Sequence, residues 1–185
     1  MTSSPSDKRN GSEPGHFLSG FLVTAKAVLF SPQSFYDAVR HEQGFRSPFI
    51  FLLGCVIVHT LFVALTLGNP AVILFSLFNG LIMPFATAAL LFVVLTRIFN
   101  TPATYERTYR VVAYSAATAL VSWIPLAGFV IELYRVFIIA IGLRSIFSVK
   151  TSRALLAIAI VVLFYIIAFS MLGQLIGSQP QQPQA

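Results

Sequence analysis

The chain has 185 residues, of which 57% are hydrophobic and only 10% charged, with a mean hydropathy of +0.84. A soluble domain carries about 45–50% apolar and about 25% charged residues, so this composition excludes a soluble globular protein and predicts an integral membrane protein. The net charge of +6 does not point to nucleic acid, because the basic residues are spread among apolar segments rather than gathered on one soluble face.

Residues 1–16 (MTSSPSDKRNGSEPGH) are polar and rich in Ser, Pro and Gly. They lack the basic-then-apolar order of a secretory signal and are predicted to form a disordered, uncleaved tail. Residues 17–45 are predicted to form two short helices at the cytoplasmic interface. The first, over 17–30, is an interfacial amphipathic helix too short to span: Phe17, Leu18, Phe21, Leu22, Ala25, Val28 and Leu29 share one side. Ser31 and Pro32 read as the N-cap and first position of the second, which runs to Gly44 with Phe35, Tyr36 and Val39 against the membrane surface or the bundle.

The domain over 46–176 is predicted to be an all-α, five-transmembrane-helix bundle with spans at about 48–67, 71–96, 111–124, 129–147 and 154–176. Gly68-Asn69-Pro70 predicts a tight hairpin between the first two spans, and Pro84 a kink in the second, one turn after Asn79 and Gly80. Arg97–Arg110 reads as a polar surface loop. The third span is rich in Ala, Ser and Thr, which suits close packing at the centre of the bundle. Trp123 with Pro125–Gly128 reads as an interface turn, and 177–185 as a flexible tail.

Charge supports five spans. Lys8, Arg9, Lys26, Arg40 and Arg46 precede the first span, Arg97, Arg107 and Arg110 follow the second, and Arg144, Lys150 and Arg153 follow the fourth. All then fall on one side, and the positive-inside rule puts the N-terminus in the cytoplasm and the C-terminus outside. Lys26, Arg40, Arg46, Arg107, Arg110, Lys150 and Arg153 become candidates for anionic lipid headgroups, at about 1 kcal/mol per contact.

One charged pair remains, Glu132 and Arg135 in the fourth span. An unpaired Arg near the midplane costs roughly 2.5–3.5 kcal/mol on insertion scales, but residues three apart share a helix face and can neutralise each other inside the bundle. Two readings fit: a structural ion pair with Tyr134, Tyr114 or Asn79 adding hydrogen bonds, or a substrate, headgroup or proton site facing a polar cavity. His59 near the middle of the first span is a lone histidine without ligand spacing, read as a hydrogen-bonded packing residue. A Ser115–His59 dyad lacks a nucleophile setting such as G-x-S-x-G. No catalytic residue, metal site or cofactor is assigned. Cys55, the single cysteine, is read as lipid-facing or packed filler.

The stretch LFSPQSFYDAVRHEQGFRSPFIFLL (29–53) resembles the opening of the Yip domain, of the Ypt/Rab-interacting protein family, with its "P..F" element on a short surface helix before the first span. Residues 105–158 are similar to its second half: an aromatic-basic loop, "AYS", an "IP..G" turn, a span ending in "GLR", a short basic loop and an Ala-rich span. The resemblance implies five spans and, in eukaryotic members, a role in membrane trafficking through Rab GTPases. The chain lacks their long N-terminal region with its acidic "DLYGP"-type stretch, which points to a short prokaryotic-type member in the bacterial inner membrane. The leading expectation is a non-enzymatic protein that organises membrane or partner proteins, with anionic lipids and a membrane-protein partner or a second copy as its contacts. The alternative is a small oligomeric permease, channel or lipid-binding protein with Glu132, Arg135, Asn79 and His59 lining its site.

Overall fold

The computed structural model describes residues 14–122 and 128–177, and no strand occurs among them. The tails at 1–13 and 178–185, the turn around Trp123 and Pro125 and the side chain of Phe17 lie outside the described residues. The elements are α1 (Pro14–Phe30), α2 (Pro32–Ala38, then a 3-10 turn Val39–His41), α3 (Arg46–Leu67), α4 (Pro70–Val93, then a π turn Val94–Ile98), α5 (Tyr105–Ser115, then a 3-10 turn Ala116–Leu120), α6 (Gly128–Phe147) and α7 (Thr151–Gly177). Among the described residues three helices are long and apolar enough to cross a membrane: Arg46–Leu67, Pro70–Ile98 and Thr151–Gln174. α6 has the length, at 20 residues, but carries Glu132, Arg135 and Arg144.

The α3–α4 hairpin forms as the local residues dictate. Gly68 ends α3 at φ 61, a conformation that costs a glycine nothing, and its N–H reaches the Ala64 carbonyl at 3.1 Å. Asn69 then caps α4, its Oδ1 accepting from the Ala71 N–H at 3.0 Å, and Pro70 takes the first helical position, where its missing donor is not needed. Pro84 lies buried inside α4, one turn beyond the contact between Gly80 and Val56 that brings α3 and α4 together.

Between α4 and α6 the sequence reading needs correction. The predicted surface loop 97–110 is largely helix: the π turn extends α4 to Ile98, and α5 starts at Tyr105, six residues before the predicted third span. Thr104 starts it, its Oγ1 accepting from the Arg107 N–H. At the other end the hydroxyls of Ser115, Thr118 and Ser122 each donate to the carbonyl three residues back, and the chain tightens into a 3-10 turn. Residues 108–118 are buried without a break, so α5 is the inner helix.

The N-terminal helices pack on the bundle: the Phe21 ring of α1 is 5.2 Å from that of Phe51 in α3, and α2 lies beside α6. Tyr134 donates to the Leu29 carbonyl, the Tyr36 ring packs where a Cβ on Gly142 would come within 2.9 Å, and Arg40 Nη2 donates to Ser148 Oγ at 2.7 Å. The three pairs advance together, so α2 runs parallel to α6. Ala25 and Val28 of α1 are buried, while Leu18, Leu22, Val23, Lys26 and Phe30 are exposed. α1 also begins at Pro14, inside the predicted tail.

Gly142 makes the central approach possible. A Cβ there would lie 2.7 Å from Val111 of α5 as well as against Tyr36, whose hydroxyl donates to the Val111 carbonyl at 3.0 Å. Arg40, Arg46, Arg97, Arg107, Arg144, Lys150 and Arg153 all sit at or near one end of the bundle, its basic end; the α3–α4 turn marks the far end.

Candidate functional site

Two clefts meet in the far half of the bundle. One, of about 370 Å³, lies between α3, α4, the 3-10 turn after α5 and α6, and its walls include His59, Ser76, Asn79, Ser122, Glu132 and Arg135. The other, of about 390 Å³, lies between α4, α6 and α7 and is lined by Asn79, Glu132 and Arg135 again, with Thr87 and Tyr165. At about 1.5 Å per residue, His59, Asn79 and Arg135 are about 10–14 Å from the far ends of α3, α4 and α6. Of the six polar residues named as candidates for an intramembrane site, His59, Asn79, Glu132 and Arg135 therefore line one space, and Tyr114 and Tyr134 do not.

The ion pair is loose. Arg135 Nη1 and Glu132 Oε1 are 3.8 Å apart, beyond hydrogen-bond length, with the Arg135 side chain 30% exposed and Glu132 65%. The sequence reading hid this pair inside the bundle; three helices pack around the cleft but none closes it. Nor do the predicted tyrosines serve it: Tyr134 bonds to Leu29, and Tyr114 Oη is 3.1 Å from Ser47 Oγ near the basic end. His59 Nδ1 instead meets Ser122 Oγ at 3.1 Å, while the buried Ser115 donates to the Val112 carbonyl, so the Ser115–His59 dyad does not form. Ser122 and the Thr87–Tyr165 pair, joined at 3.0 Å, were missed by reading the sequence; their hydroxyls carry no signal until the helices are placed. Cys55 is buried in the α3 core, the packed alternative rather than the lipid-facing one.

At the basic end another Glu–Arg pair behaves in the opposite way. Arg110, predicted to face lipid headgroups, is 1% exposed. Its Nη1 donates to the carbonyls of Val39 (3.5 Å) and Glu42 (2.5 Å), and its Nη2 to that of Gly44 (3.4 Å) and to Glu106 Oε1 (3.0 Å). The same Glu106 oxygen accepts the Gly44 N–H at 2.5 Å, and Gly44 holds φ +99, a turn that favours glycine. Arg110 therefore fixes the α2–α3 connection from below instead of meeting headgroups. The i,i+4 spacing of Glu106 and Arg110 would have suggested the pair had the segment been read as helix. Lys26, Arg46, Lys150 and Arg153 are exposed, Arg40 and Arg107 partly so. Arg46 also lines a third cavity, of about 620 Å³, with Thr24, Gln43, Ser47 and Tyr114 above Phe21, Ile50 and Phe51.

A chain whose described residues are mainly helical, with three apolar helices of membrane-crossing length and a basic end, is a multi-pass membrane protein. Within that class the comparison is specific: residues 26–172 match the Yip1 domain, and the chain belongs to that family. No curated protein and no solved structure matches it.

Proposed function

We propose that this Yip1-domain protein is a non-enzymatic organiser of membrane lipids and partner membrane proteins, with five spans, set in the bacterial inner membrane with its basic end in the cytoplasm. The observation that carries the reading is the one-sided basic end. Exposed Arg46, Lys150 and Arg153 border it, and the Arg110–Glu106 contacts hold its connection rigid, so anionic headgroups or an acidic partner meet a prepared surface. Five spans accord with lengths of about 26 Å for α5 with its 3-10 turn and about 30 Å for α6, against about 30 Å of hydrocarbon.

Topology is tested with single cysteines replacing Asn69 or Ser148 in a Cys55→Ala background, labelled by a membrane-impermeant maleimide. Labelling of position 69 in intact cells, and of 148 only after permeabilisation, is the expected result; the reverse pattern overturns the orientation. Native mass spectrometry of protein drawn gently from its own membrane tests the role itself: a stoichiometric partner protein or retained anionic lipid is expected, and neither would remove the organising reading.

A second reading rests on a separate observation. His59, Asn79, Glu132 and Arg135 line one open cleft, and ionisable groups at such depth mark ligand or ion paths. On this reading the cleft is a binding site.

A further inference from the structure

The two clefts flanking the Glu132–Arg135 pair are parts of one path. They share Asn79, Glu132 and Arg135, and their lining residues on α4 follow each other in steps of three and four as a stripe that winds about the helix: Val72, Phe75, Asn79, Met83, Thr87, Leu91. From Val72 to Leu91 is 91 − 72 = 19 residues, about 28 Å at about 1.5 Å per residue, against about 30 Å for the hydrocarbon core. Polar groups recur along it. They form two layers: Ser122, His59, Asn79 and the charged pair in the far half, and Thr87 with Tyr165 toward the basic end. The walls also carry exposed apolar side chains, Phe75, Val162 and Phe169, so the path is open sideways to acyl chains.

Such a groove suits a molecule with a polar head and apolar tails. The pair narrows the class further. At 3.8 Å neither Glu132 nor Arg135 satisfies the other, and each keeps free acceptor or donor positions. A simple anion entering beside Arg135 meets the Glu132 carboxylate, and a simple cation beside Glu132 meets Arg135. A zwitterion offers each its opposite charge.

We propose that the joined clefts form a transbilayer path for zwitterionic phospholipid, in which Arg135 takes the phosphate and Glu132 the ammonium of the headgroup in the far half of the crossing while the acyl chains stay in the bilayer. This rests on the binding-site reading of the cleft and adds its ligand and its activity. Movement is downhill and exchanges lipid in both directions, with no bond made or broken.

The test uses the full chain reconstituted in phosphatidylcholine vesicles with trace acyl-labelled fluorescent phosphatidylcholine or phosphatidylglycerol. Dithionite added outside bleaches only outer-leaflet label unless lipid crosses, and a trapped water-soluble fluorophore controls for leak. Bleaching beyond the outer leaflet is expected, faster for phosphatidylcholine than for phosphatidylglycerol. Glu132→Gln with Arg135→Gln should slow it by about tenfold or more, the loss of charge-assisted hydrogen bonds, whereas the exchanged pair Glu132→Arg with Arg135→Glu keeps it. Bleaching equal to protein-free vesicles overturns the path; if native mass spectrometry then still finds zwitterionic lipid on the wild type and not on the double Gln variant, the binding site survives without transport. A lipid-free dimer crosslinked through cysteine at position 133, beside the intact pair, overturns both, with a second copy covering the pair.

Discussion

The bundle contains two Glu–Arg pairs on helix faces, Glu106–Arg110 near the basic end and Glu132–Arg135 in the far half, and they have opposite fates. In the first, the guanidinium is 1% exposed and its terminal nitrogens serve three carbonyls and a carboxylate at 2.5–3.5 Å. In the second, one contact of 3.8 Å joins side chains that remain 30% and 65% exposed. A closed pair holds structure, because the terminal nitrogens it buries all have partners, although Arg110 Nε is buried without one. An open pair has interaction capacity left over, and that remainder is what a ligand can use.

The largest stability effect is expected at the closed pair. Arg110→Met keeps most of the volume but strips the donors from the α2–α3 connection, and should lower stability on the order of 3 kcal/mol, read by thermal denaturation in detergent. Gly142→Ala tests the packing that puts α2 and α5 against α6. Its methyl would sit 2.7 Å from Val111, and overpacking of this kind costs about 1–3 kcal/mol. Tyr36→Phe removes only the hydroxyl bond to Val111 and should cost about 1 kcal/mol. Smallest is the open pair: Glu132→Gln with Arg135→Gln should change stability by less than about 1 kcal/mol, while phospholipid movement falls. If that double variant melted as early as Arg110→Met, the contrast between a structural and a functional pair would collapse.

Several features were legible because they depend on neighbours in the chain. The α3–α4 turn needs only a glycine with positive φ, an asparagine cap and a proline at the first helical position, all adjacent. Helix bounds at Arg46–Leu67 and Gly128–Phe147 follow from largely apolar runs bounded by Gly and Pro, close to the predicted spans. His59, Asn79, Glu132 and Arg135 were named together from the sequence only as the lining of the alternative reading, and the cleft they border appears once the helices are placed. By contrast, the start of α5 was misplaced because the polar run RIFNTPATYERTYR reads as a loop, whereas Glu106 and Arg110 within it have partners on the α2–α3 connection. The contacts of α1 with Phe51 and, through Leu29, with Tyr134 join residues far apart in the chain and were not legible.

Composition and order alone determined a helical membrane protein, its first hairpin, the collection of basic residues at one end, and a family resemblance that the match over residues 26–172 bears out. Only the tertiary structure decided which charged pair is sealed and which is open. Both have nearly the same local spacing, i,i+4 and i,i+3, and local spacing sets whether two side chains can meet, not what surrounds them. Arg110 is closed by carbonyls 66 to 71 residues away in the chain, and Glu132 is left open because α3, α4 and α7 stand apart from α6 at that depth.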